Sequence, residues 1–129
     1  MAKFKIAQNP TFKADVDIPR VGGTTIKVPF EFKYRDRKEL AALFAGWQEK
    51  TKEDQEAFVA KGDELSLVDI TASHIDRQIE QVRELVTGWG FDDKLSVETI
   101  RALVETSAGA GEAIVETYQK AFSSVRLGN

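Results

Sequence analysis

Two strictly alternating stretches, one on each side of a paired glycine, constrain this chain more than anything else in it. From Phe12 to Ile18, Phe12, Ala14, Val16 and Ile18 share one face and Lys13, Asp15 and Asp17 the other. From Thr25 to Arg35, Ile26, Val28, Phe30, Phe32 and Tyr34 alternate with Lys27, Glu31, Lys33 and Arg35. A period of two marks half-buried strands. Between them, Pro19-Arg20-Val21-Gly22-Gly23-Thr24 supplies the glycines that a reversal needs. The pair reads as an antiparallel hairpin with a phenylalanine-rich face. Phe4 and Ile6, set off by Asn9-Pro10, suggest a short third strand. Pro29 has no amide donor, so its strand is expected at a sheet edge, or the proline is turned away from its partner. Two strands are marginal alone, so the apolar face has to be covered by helices or by another copy.

The helical signals come later. Ile75, Ile79, Val82 and Val86 fall at steps of four, three and four, and Leu85 widens the stripe. That spacing predicts a central core helix over Ser73 to about Gly88. Ser73 is the expected cap, with Asp76 three residues on. Gly88 is the expected stop, and Trp89 and Phe91 are expected in the turn beyond it. Asp36-Arg37-Lys38-Glu39 has capping-box spacing ahead of Leu40, Leu43, Phe44 and Trp47. Residues 49–64 are highly charged, with Phe58 as their one large apolar anchor. They are expected as a frayed helix or a mobile connection that orders on binding. Ser96 caps a short stripe of Val97, Ile100, Leu103 and Val104. A last helix is expected from about Gly111 to Val125, through Ile114, Tyr118, Ala121 and Phe122. The fold class is therefore α+β. An N-terminal antiparallel β-hairpin, with three short strands as the alternative, precedes a bundle of about four helices. The 129 residues suit a single domain, with a hairpin region at 1–35 and a helical region at 36–129.

A chain of this length buries roughly two-thirds of its unfolded surface and needs no metal or disulfide to fold. It has no cysteine, which removes thiol catalysis and zinc–thiolate sites together. No signal-peptide pattern opens it, and no stretch approaches the ~20 apolar residues of a membrane span. The net charge of −3 hides an asymmetry. Residues 1–38 hold nine basic and four acidic residues, whereas residues 39–129 hold nine basic and seventeen acidic. A basic front and an acidic body can steer partners, or join copies head to tail.

Catalytic constellations are missing. The single histidine, His74, has Asp76 as its only neighbouring acid, and the two leave the helix on different sides, so His74 reads as a surface residue. Asp92, Asp93 and Glu98 lack the spacing of a calcium loop. Gly22-Gly23-Thr24-Thr25 lacks the lysine of a phosphate loop. Gly109-Ala110-Gly111 ahead of a helix is weak evidence for an anion site. The basic residues of the hairpin are interleaved with Asp15, Asp17 and Glu31, which argues against nucleic acid. No catalytic residue, cofactor or metal is assigned.

The order of these pieces resembles the tail assembly chaperones of long-tailed phages and prophages. The resemblance is carried by Phe12 to Pro19 with Gly22-Gly23, and by Phe30-Glu31-Phe32-Lys33-Tyr34-Arg35 running into Asp36 and a leucine-rich helix. It continues in Val86-Thr87-Gly88-Trp89 with Gly90-Phe91-Asp92, in Leu95-Ser96, and in Ile114, Tyr118 and Arg126-Leu127-Gly128-Asn129. It covers nearly the whole chain, and its force lies in the combination. It implies a non-enzymatic protein that binds the tape measure protein, keeps it soluble and helps to recruit tail tube subunits. It further implies action in the cytoplasm of the infected host and absence from the finished virion. In many such phages a programmed ribosomal frameshift adds a longer form, and Arg126 to Asn129 would then lie near the end of the short one.

A chaperone for a long apolar helical client needs exposed apolar surface. The candidates for partner binding are Trp47, Trp89, Phe91 and the uncovered part of the Phe30, Phe32 and Tyr34 face. Coating a long client favours a homo-oligomer. Neither membrane nor nucleic acid is expected as a partner. The rival expectation is a tail structural subunit, of the tube or completion kind, retained in the virion. Such subunits are built on larger sheets than the first third of this chain provides.

Overall fold

A computed structural model of the chain describes residues 3–123. The hairpin is present. Strand β1 spans Thr11–Arg20 and β2 spans Thr24–Lys33, paired antiparallel with Phe12 opposite Phe32 and Val16 opposite Val28. Gly22 and Gly23 carry the reversal at φ of 95° and 82°, a region open to glycine at little cost. The alternation sorts the faces as the sequence implies. Val16, Ile18, Val28, Phe30 and Phe32 are buried, while Lys13, Asp15, Asp17 and Lys27 face out.

Helix α1 follows over Arg37–Lys61 and opens on the expected capping box. The Glu39 amide donates to Asp36 Oδ1 at 2.8 Å, and the Asp36 amide donates back to Glu39 Oε1 at 2.9 Å. The charged stretch from Glu49 to Lys61 is the second half of this one helix, and a short 3₁₀ turn, Gly62–Glu64, follows it. Helix α2 spans Leu67–Leu85, β3 Val86–Trp89, α3 Val97–Thr106 and α4 Ala110–Ala121. Ser96 caps α3 as expected. Val125 and Arg126 to Asn129 lie outside the described residues.

Three expectations need correction. The third strand is β3, which pairs antiparallel with β2; Phe4 and Ile6 form no strand. Gly88 is therefore not a helix stop but a strand residue opposite Glu31, and Trp89 ends the strand rather than sitting in a turn. Val86, Thr87 and Trp89 favour a pleated strand, and β2 offers them an open row of donors and acceptors, so pairing overrides the helical spacing of Val82 and Val86. The central helix also begins earlier. Its cap is Ser66, with Asp69 as the reciprocal partner. Ser66-x-x-Asp69 and Ser73-x-x-Asp76 are the same box, one heptad apart and so in nearly the same helical phase. The outer one caps.

Pro29 stands in the central strand of the β1-β2-β3 order, not in an edge strand. The alternative expectation describes it. Its carbonyl accepts from the Gly90 amide at 2.8 Å, so its backbone polar groups face β3 and not β1. The missing donor falls where the β3 ladder ends.

The core lies between the sheet and α2, α3 and α4. Ile79, Val82 and Leu85 of α2, Ile100, Leu103 and Val104 of α3, and Ile114 and Tyr118 of α4 cover the phenylalanine face. Helix α1 contributes no fully buried residue; it lies outside the core, against α2, on its stripe of Leu40, Leu43, Phe44 and Trp47.

Candidate functional site

The surface that α1 leaves open is a cleft against α2 of about 460 Å³. Its α1 wall is Leu43, Gly46, Trp47 and Lys50; its α2 wall includes Arg77, Gln81 and Glu84. Trp47 is half-buried. Its indole N–H donates to Glu84 Oε1 at 2.7 Å, and its ring meets Phe44 edge-on at 5.3 Å. One polar bond fixes the ring while part of its face stays open, as expected of a tryptophan at an interface.

The cleft's far end is closed by an ion pair. Arg77 holds Asp54 bidentately, through Nη2 to Oδ1 at 2.8 Å and Nε to Oδ2 at 3.0 Å, and reaches Glu80 at 2.8 Å. The hydrogen bonds from Arg77 hold the Asp54 carboxyl below its ordinary range, and the same contact raises the guanidinium. Beyond it, Phe58 meets the exposed His74 ring edge-on at 6.2 Å, and Lys61 pairs with Asp69 at 2.9 Å. His74 lies inside α2, not at its start.

The other expected partner-binding residues do not gather at this cleft. Trp89 and Phe91 stack edge-on at 5.0 Å, both over the buried ring of Phe30, at the end of β3. Both are half-buried, and the Trp89 indole donates to the Asp93 carbonyl at 2.7 Å. Phe30 and Phe32 are 1% and 0% exposed, so their face is covered by the helices and offers a partner no surface. Tyr34 is half-buried against Phe122, beside a small cleft with Gln8 and Asn9. The six residues thus divide among three surface places and the core.

A further apolar surface lies outside the residues expected from the sequence. Leu67 and Val68, on the first turn of α2, are 78% and 77% exposed and border a groove of about 720 Å³ between α2 and α3. The capping box at Ser66 was the signal that would have placed them on a helix. Among the described residues, no group of three or more histidines, aspartates or glutamates is arranged to hold a metal ion. No helix of the described residues is long and apolar enough to cross a membrane.

No curated protein and no solved structure matches this chain. A family model described as phage tail assembly chaperone does, over residues 1–129. The match covers every element described above, from β1 through α4, and with it the chain belongs to the phage tail assembly chaperone family.

Proposed function

We propose that this chain is a non-enzymatic chaperone that binds the tape measure protein in the host cytoplasm, keeps it soluble and recruits tail tube subunits to it. The observation that carries the reading is the α1–α2 cleft: a half-open tryptophan, Trp47, beside Leu43, with Lys50, Arg77 and Glu84 around them. An apolar floor with charges of both signs at its rim suits the apolar face of an amphipathic helix and tolerates shifts of register. The half-buried Trp89 and Phe91 pair is a second place where such a client meets the sheet edge. Several copies act on one client, and none remains in the virion.

Co-expression with the tape measure protein of the same phage tests the first part. The client is expected in the soluble fraction and in the pull-down. An insoluble client, with this chain eluting alone, would count against the reading for this form of the protein. Mass spectrometry of purified virions tests the last part, since a retained structural subunit would be detected there and a chaperone would not.

A further inference from the structure

Among the described residues, two apolar features lack a partner, and they lie apart on the fold. The first is the segment ahead of β1. Lys3-Phe4-Lys5-Ile6 alternates basic and apolar residues, and Phe4 and Ile6 are 95% and 101% exposed. Its anchor is Pro10, whose carbonyl accepts from the Tyr34 amide at 2.8 Å, at the Thr11 end of the hairpin. The second is the α2–α3 groove, with Leu67, Val68, Ala72 and Ile75 along α2.

Their charges are complementary. From Lys3 to Lys13 the chain holds three lysines and no acid. Of the residues lining the groove, Asp76 and Glu105 are acidic and Arg101 is basic, so the lining is acidic by one charge, and Glu98 stands one turn before Arg101 on α3. Among the described residues, the one cation lining the groove is Arg101, which bonds both acids, at 3.1 Å with Asp76 and 3.6 Å with Glu105.

The segment does not lie in the groove of its own chain, since Phe4 and Ile6 are almost fully exposed. The Ser107 hydroxyl, just past α3, donates to the Pro19 carbonyl at the far end of β1 from Thr11. Eight strand residues separate Thr11 from Pro19, about 26 Å. Helix α2 runs along the same direction. Glu84 is bonded to Arg35 at the Thr11 end, and Gln78 borders Gly111 near the Pro19 end. Leu67 lies 17 residues before Glu84 along α2, roughly 26 Å from that end. The five residues from Ile6 to Thr11 span at most about 17 Å.

We propose that the Lys3–Ile6 segment of one copy docks in the α2–α3 groove of a second copy. Phe4 and Ile6 lie on the floor of Leu67, Val68 and Ile75, and the lysine stems carry their charges to the acidic rim. Because segment and groove are different surfaces that lie apart, the contact is heterologous and propagates copy to copy instead of closing as a dimer. This deepens the chaperone reading and rests on it for its purpose, a row of copies along a long client. The docking itself is tested without the client.

Sedimentation velocity of the purified chain is the experiment. The wild type is expected to form a concentration-dependent series of species that shifts toward monomer as salt rises. Phe4→Asp/Ile6→Asp and Val68→Asp are each expected to stay monomeric, with association weakened at least tenfold and the thermal midpoint unchanged. Mixed one to one, the two variants are expected to form a dimer and stop there, since each brings one intact surface. Phe4→Ser/Ile6→Ser and Val68→Ser serve if an aspartate variant loses its thermal midpoint. A wild type monomeric at every concentration and salt, a segment variant that associates like wild type, or a mixture that stays monomeric each overturns the proposal. A wild type that assembles as described but leaves the tape measure protein insoluble overturns the chaperone reading and leaves the docking standing.

Discussion

The Gly90 amide donates to the Pro29 carbonyl at 2.8 Å, and a Cβ on Gly90 would lie 2.7 Å from Pro29 Cγ and 2.8 Å from its Cδ. The glycine is required by space, since a side chain there would meet the pyrrolidine ring. The ring is in place because Pro29 turns its nitrogen toward the end of the β3 ladder. Gly90→Ala is therefore expected to destabilise the fold by about 1–3 kcal/mol, the usual range for forced overpacking. Pro29→Ala removes the ring, so the double variant should recover most of that loss. Urea unfolding of the two single variants and the double variant measures the coupling. Additive losses would mean that the two residues do not oppose each other.

Arg35 and Tyr118 join β2, α2 and α4 at the other end of the sheet. The buried Tyr118 hydroxyl donates to the Lys33 carbonyl at 2.8 Å and accepts from Arg35 Nη1 at 3.2 Å, while Arg35 Nη2 donates to the Glu84 carbonyl at 2.8 Å. Tyr118→Phe leaves Lys33 O and the guanidinium short of a partner, a loss of about 1–3 kcal/mol. Burial pushes the phenol above its ordinary value, and Arg35 draws it only part of the way back. A pKa raised on folding gives stability that is complete below the unfolded value of about 10 and is lost as pH rises through the folded one. The wild type should thus lose thermal stability above about pH 10 more steeply than Tyr118→Phe. Parallel alkaline profiles would contradict this.

Of the two ion pairs that tie the outer half of α1 to α2, Asp54–Arg77 is the better shielded. Asp54 and Arg77 are about one-fifth exposed and bonded bidentately, so the pair is better shielded than Lys61–Asp69 or Lys27–Asp17. A depressed carboxyl contributes stability that is present above its unfolded value near 4 and lost as pH falls through the folded value. Asp54→Asn should cost about 1–2 kcal/mol at neutral pH and reduce the acid sensitivity of residues 49–61. Hydrogen exchange over those residues is the measurement. Equal protection in wild type and variant at pH 7 would show that the pair does not hold the helix down.

The sequence made the hairpin legible because one face of each strand is buried, so a period of two is written directly into Phe12 to Ile18 and Ile26 to Tyr34. Two of the helix starts were legible for a similar reason: Asp36 and Ser96 are local devices whose partners stand three residues away. What stayed hidden depends on distant neighbours. Nothing local separates Ser66 from Ser73, and Val86 continues a helical stripe until β2 offers it a strand to pair with. The candidate site divides in the same way. Trp47 stays half-open because α1 lies outside the core, whereas Phe30 and Phe32 are sealed by helices that begin dozens of residues later. Leu67 and Val68 belong to no long stripe, and only the tertiary structure reveals them as a groove.

The two tryptophans should separate stability from client binding. Trp47 lies on a helix with no fully buried residue, and its indole bonds to the side chain of Glu84. Trp89 rests on the buried Phe30 ring and anchors the turn through the Asp93 carbonyl. Replacing Trp89 with Ala removes core-facing area and a hydrogen bond, so a loss of about 2–3 kcal/mol is expected, below the range for a fully buried aromatic. Trp47→Ala is expected to cost about 1 kcal/mol while sharply reducing the amount of tape measure protein recovered in the soluble fraction. Trp47→Phe keeps the ring but not the indole donor. It should retain part of that recovery if apolar area is what the client uses. The checks are a thermal melt and a co-expression pull-down on the same variants. If Trp47→Ala melts like wild type and recovers the client equally well, the α1–α2 cleft is not the binding surface, and Trp89 with Phe91 is the next surface to test.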